Sequence, residues 1–276
     1  MHQSILVYRN HRYFWLALAT VGVVVAAYLL HAPMGRPHGG TSLGYTLGTV
    51  GALLILWLMA FGVRKRMYGA GKTRLQAWLS AHVYLGLALW VIATLHTGFQ
   101  FGWNVHTLAY VLMVVVILSG VFGVYAYGRY PVLMTENRRG LTLHAMLAQI
   151  AELGVACREA VMEMDDAISA TVVNATQASS IGGGLWRQLS GRDPQCPTAA
   201  ALVKAQQLAG STTGAQAERY RRLIALLIRK DELLRCARRD VQLKALMDIW
   251  LYLHVPLSIA LVVVLAAHVV AVFYYR

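Results

Sequence analysis

Lys, Arg, Asp and Glu are absent from five stretches of the chain: Tyr13–Leu30, Tyr45–Val63, Trp78–Phe101, Thr107–Tyr127 and Ile249–Tyr275. About 20 helical residues cross the roughly 30 Å hydrocarbon core of a bilayer. Each stretch is close to that length or above it, so the pattern predicts five transmembrane helices. The loops after the first three are short. His31–Gly44 carries Pro33, Pro37 and several glycines, the second span runs into RKRMYGAGKTR, and Gly102–His106 is a tight uncharged turn.

Between the fourth and fifth spans the pattern changes. Apolar residues recur at helical spacing in Leu141–Gln177 (Leu143, Leu147, Ile150, Leu153, Val161, Ile168) and again in Gln216–Met247. Ser179–Pro197, with glycines at 182–184 and the run GRDPQCP, is a break. Two long helices forming a hairpin are expected, with the short segment Thr198–Leu208 packed on them. The fold class is therefore an all-α membrane protein: a five-helix transmembrane bundle with a cytoplasmic helical hairpin inserted between spans four and five. The expected division is 1–128 for spans one to four, 129–247 for the insertion and 248–276 for span five.

Charge changes the picture by fixing orientation. With the N-terminus inside, 23 of the 25 Lys and Arg fall on cytoplasmic segments, leaving only Arg36 and Arg276 outside. That asymmetry predicts an N-inside, C-outside integral membrane protein, in a bacterial cytoplasmic membrane. All twelve acids lie in the polar segment before Ile249 beside sixteen basic residues. The net charge of +13 thus sits mostly on the short inner segments, and it reflects membrane orientation rather than nucleic-acid binding. Arg9 and Arg12 precede the first span without a clear cleavage site, so that span reads as a retained helix. Cys157, Cys196 and Cys236 are far apart, with neither CxxC nor CxxCH, which excludes covalent c-type haem attachment and a thiolate metal site.

Histidine supplies the candidate chemistry. His82 and His96 are fourteen residues apart on the third span, and His254 and His268 repeat the spacing on the fifth. Fourteen residues make nearly four helical turns, so each pair leaves one helix face with an offset of about 21 Å. Ionisable side chains in a membrane span are costly and are usually placed for function. Two matched pairs fit two b haems, each held between two neutral imidazoles as a low-spin, six-coordinate iron. Spans three and five run parallel in this topology. His82 then pairs with His254 at an inner haem, and His96 with His268 at an outer one. A crossed pair would span about 20 Å, too far for one iron.

Room for a flat ring points to Gly48 and Gly62, also fourteen apart, with Gly86, Gly98, Gly120 and Gly123 at similar depths. Arg64, Arg74 and Arg129 are candidate inner partners for propionates; Arg36, His31, Trp103 and His106 are the outer ones. His31, His38 and His106, near Trp103, Asn104 and Tyr110, are also candidates for a quinone contact, and Tyr84 and Tyr252 flank the inner ligands.

Two histidines fourteen apart on each of two helices resemble the haem signature of the cytochrome b family of quinol-oxidising complexes. Their placement on spans three and five looks more like the ferric reductase and NADPH oxidase membrane domain. The stretch SGVFGVYAYGRYP at 119–131 is similar to the segment after the fourth helix in small bacterial cytochrome b relatives. The resemblance covers the five spans, lacks a PEWY-type motif, and has no flavin or nucleotide domain after span five. It implies a di-haem subunit of a membrane redox complex rather than a self-contained reductase. Such a subunit carries electrons between the quinone pool and partner redox subunits, namely iron–sulfur, flavin or cytochrome proteins on the cytoplasmic or periplasmic side. The alternatives are a ferric reductase-like transmembrane reductase of metal or oxidant, and a non-redox membrane anchor.

Overall fold

The computed structural model describes residues 7–31, 38–66 and 72–274, without the side chains of residues 63, 65, 66 and 72–74. Among the described residues there is no strand. They form nine helices, in order α1 (Arg12–Leu30), α2 (Ser42–Arg66), α3 (Lys72–Thr97), α4 (Val105–Arg138), α5 (Leu143–Ala160), α6 (Asp166–Ala178), α7 (Leu185–Ser190), α8 (Pro197–Ala209) and α9 (Gly214–Tyr274). Five of them, α1 to α4 and α9, are long and apolar enough to cross a membrane. The chain is an all-α integral membrane protein with a helical insertion between its fourth and fifth spans.

The residues form two compact units, Met1–Tyr125 with Trp250–Arg276, and Ala126–Ile249. In the first unit, α3 packs against both α1 and α2. Its small residues Ser80, Ala81 and Ala88 are buried and let neighbouring backbones approach, and Ile92 is wholly buried among them. Leu58 of α2, Leu89 of α3, Met113 of α4 and Leu261 of α9 meet in one buried cluster. Leu89 and Leu261 lie halfway between the histidines of their respective helices. Outward faces stay apolar, with Val23, Leu29, Leu30, Val263 and Val270 exposed, as contact with lipid requires. Hydroxyls within the spans are satisfied locally: Thr20, Thr46, Thr49 and Thr94 each donate to the carbonyl four residues back.

The second unit departs from the expected hairpin. The helix expected over Leu141–Gln177 is broken at 161–165 into α5 and α6. The break folds α6 back against α5, and Val161 and Ile168 both enter one core with Val172, Ala201, Ala205, Tyr220, Leu223 and Leu227. Ser169 Oγ closes the turn by donating to Val161 O at 2.7 Å. Helix α8 packs on α6. Two buried carboxylates tie the surrounding helices together. Arg138 donates twice to Asp240, and Arg238 donates to Asp193, to Ser180 O and to Cys196 Sγ. The fourth span does not stop at Tyr127 but continues as helix through Pro131 to Arg138, and the fifth grows without interruption out of the helix that begins at Gly214.

Candidate cofactor site

All four span histidines lie in the first unit, and each is gripped through Nδ1 by a group on another helix. Helix α2 supplies two main-chain acceptors. His82 donates from Nδ1 to Leu58 O at 3.1 Å, and His96 donates to Gly44 O at 2.8 Å. A carbonyl only accepts, so both rings carry their proton on Nδ1. Each acceptor sits four residues before a glycine, Gly62 and Gly48. Helical side chains lean towards the N-terminus, so the missing side chain at Gly48 leaves the Gly44 carbonyl open to His96, whereas a Cβ at Gly62 would meet nothing within 4 Å.

His254 is held differently. Its Nδ1 lies 2.7 Å from Ser119 Oγ, and Ser119 already donates that hydroxyl proton to Val116 O at 2.8 Å. Ser119 Oγ therefore accepts, and His254 too is protonated on Nδ1. Trp250, one turn earlier on α9, stacks on the His254 ring and donates Nε1–H to Ser119 O. Gly123 makes room for that indole: a Cβ there would collide with Trp250. His268, near the end of α9, faces His106 of α4 with Nδ1 to Nδ1 at 2.6 Å.

Among the described residues the Nε2 atoms of His82, His96, His254 and His268 make no hydrogen bond. An imidazole whose Nδ1–H is anchored presents a free Nε2 lone pair, the arrangement metal-ligating histidines use. The structure brings His96 and His268 together, ring centroids 6.2 Å apart and planes at 79°. Two imidazoles bound through nitrogen to one ion at about 2.0 Å put their centroids roughly 6 Å apart. His82 and His254 likewise lie within electrostatic range of each other. Helices α3 and α9 thus meet at two levels in the same order, so they run parallel.

His96 and His268 open into a cavity of about 1150 Å³ bounded by α2, α3, α4 and α9. It is lined mainly by apolar groups, with His38, Tyr45, Gln100, Asn104 and His106 among the polar ones. Its volume exceeds an ordinary small-molecule pocket and suits a large planar group. The paired imidazoles, their free Nε2 atoms and the cavity beside them fit a haem with two histidine ligands. Among the described residues no cluster of three or more His, Cys, Asp or Glu offers a competing metal site.

The remaining sequence candidates fall in different places. Gly48 lines the cavity and lies against the His96 imidazole: a Cβ there would stand 2.7 Å from His96 Cε1. Gly120 is in ordinary contact range of His254 Cε1, whereas Gly62 and Gly86 have nothing within 4 Å of an added Cβ. Arg64 lays its guanidinium over the Trp78 ring, 4.7 Å from the centroid. The Arg74 side chain and Arg36 lie outside the described residues. His31 does not line the cavity; its Nε2 is buried without a partner beside Tyr28, Gly44 and Leu95. The next histidine along the chain, His38, takes the cavity wall instead.

Ser119, Trp250 and the carbonyls of Gly44 and Leu58 are the supporting groups that spacing alone does not reveal. Comparison of the chain with protein-family models, curated proteins and solved structures found no match.

Proposed function

We propose that the chain is a di-haem b subunit that carries electrons across the bilayer between a quinone pool and partner redox subunits. The observation that carries this reading is the His96–His268 pair, 6.2 Å apart at a cavity with both Nε2 atoms free. His82 and His254 are the ligands of the second, inner haem. The haem iron, held between two imidazoles, supplies reversible one-electron chemistry without an open position for oxygen. The protein's share of the work is positional. Gly44 O, Leu58 O and Ser119 Oγ hold three ligand rings in the tautomer that presents Nε2. The buried layer of Leu58, Leu89, Met113 and Leu261 excludes water between the two levels. Fourteen residues of helix separate those levels by about 21 Å along the helix axis.

By the distribution of Lys and Arg, the His82–His254 end faces the cytoplasm and the His96–His268 end faces outward. The insertion after α4 then lies on the cytoplasmic side, with mixed charge suited to steering a redox partner. Pyridine haemochrome assay of the pure protein should give two non-covalent b haems per chain. His82→Ala and His254→Ala should lose one redox component, and His96→Ala and His268→Ala the other. Protein made with ample haem that carries none removes the reading; a component shared by His82→Ala and His268→Ala removes the pairing.

A further inference from the structure

Three of the four histidines anchor Nδ1 on a group that cannot move without unwinding a helix or breaking a hydroxyl's own bond. The fourth is different. His268 has no carbonyl or hydroxyl at Nδ1; its partner is another imidazole, that of His106, 2.6 Å away. The two rings stand nearly perpendicular, at 86°, with centroids 4.5 Å apart, so the contact is a directed nitrogen–nitrogen hydrogen bond and not a stack. Only one of the two nitrogens carries the proton.

His106 is itself fixed. Asn104 caps α4: its Oδ1 accepts from Thr107 N at 2.9 Å and its carbonyl accepts from Leu108 N. Thr107 Oγ1 in turn accepts from Gly102 N at 3.1 Å, closing the turn that leads into the helix. The second residue of α4 is thereby delivered to the end of α9.

We infer that His106 is the positioning residue of the outer site, accepting the Nδ1–H of His268 and so holding its Nε2 lone pair towards His96. The inference rests on the di-haem reading above. Were the proton on His106 Nδ1 instead, His268 would carry its own on Nε2 and offer no lone pair to an iron. With His106 as acceptor, His268 matches the tautomer of the other three ligands. The bond also pulls the Nδ1 proton away from the ring and makes Nε2 a stronger donor, which favours the oxidised iron. His106 contributes no bond to the metal.

The test uses the full-length protein with both haems, and the inner haem serves as an internal control. His106→Leu should weaken retention of the outer haem by roughly 10–100-fold, the usual cost of removing such a supporting partner. The outer component that remains should stay low-spin and titrate at a higher midpoint potential, with the inner component unchanged. His106→Asn places Oδ1 where Nδ1 was and should restore retention and potential towards the parent values. Unchanged retention and potential in His106→Leu would overturn the inference while leaving the two-haem reading intact. Conversion of the outer haem to a high-spin form would also overturn it, because His106 would then be a ligand. Loss of both components in His106→Leu together with an unrescued outer site in His106→Asn would make the residue structural and overturn it too. Parent protein without haem would defeat both the inference and the reading beneath it.

Discussion

Gly48→Ala is the sharpest perturbation the outer site offers. An alanine Cβ at this position would stand 2.7 Å from His96 Cε1, 3.0 Å from Nδ1 and 3.2 Å from Nε2. Comfortable carbon–carbon contact begins near 3.5 Å, so the ring must shift by roughly 1 Å. It has little freedom to do so, because Nδ1 is held 2.8 Å from Gly44 O. Inserting a methyl group into such a packed site costs about 1–3 kcal/mol. At about 1.4 kcal/mol per factor of ten, outer haem affinity should fall roughly 5–150-fold. Gly62→Ala and Gly86→Ala are the controls, since an added Cβ meets nothing within 4 Å at either position. They should leave both haems in place and favour the helix by about 0.5–1 kcal/mol. Haem per chain and redox-resolved absorption spectra of the three variants decide the matter. Full outer haem with an unshifted potential in Gly48→Ala would refute the reasoning, and so would selective haem loss in Gly62→Ala.

Other variants test other parts of the structure. Ser119→Ala removes the acceptor for His254 Nδ1–H and should weaken the inner haem alone, by roughly 10–100-fold, as read by haem content after dilution. Arg138→Ala strands the Asp240 carboxylate, whose side chain is 1% exposed; with Arg138 itself 29% exposed, the cost should sit near the low end of breaking a buried pair, about 3 kcal/mol. Amide hydrogen exchange across residues 126–249 should accelerate accordingly, with spectra of both haems unaltered. Lys230 is 2% exposed and forms no ion pair among the described residues, so Lys230→Met should be neutral or stabilising by the same exchange measurement.

The five spans were legible because the bilayer imposes a length and a composition that no surface loop shares. Their ends were less so. Helix α4 runs on to Arg138 because a helix started in the membrane continues where its polar end finds partners, here Asp240 and the Cys236 carbonyl. The break at 161–165 escapes the sequence pattern for a related reason. Leu143, Leu147, Ile150, Val161 and Ile168 keep helical spacing across the turn, so periodicity shows no interruption. The acids Asp165 and Asp166 mark the start of α6 and were the available signal.

At the histidines, spacing carries the arrangement and is silent about what holds it. The acceptors on α2 are backbone carbonyls, which any residue type provides, so neither Leu58 nor Gly44 stands out in sequence. Yet they obey the same arithmetic as the histidines. Residues 44 and 58 are fourteen apart, as are 82 and 96, and each bonded pair sums to 140. In antiparallel neighbours a constant sum means a constant register, so one fit between α2 and α3 sets both rings at once. A one-residue slip of α2 would rotate both acceptors about 100° away from their histidines. No such register serves His254 and His268, whose partners Ser119 and His106 both come from α4, thirteen residues apart. There the matching depends on side chains. That is why Ser119 and His106 are the positions where substitution should separate the two sites, while the α2 carbonyls bind their fates together.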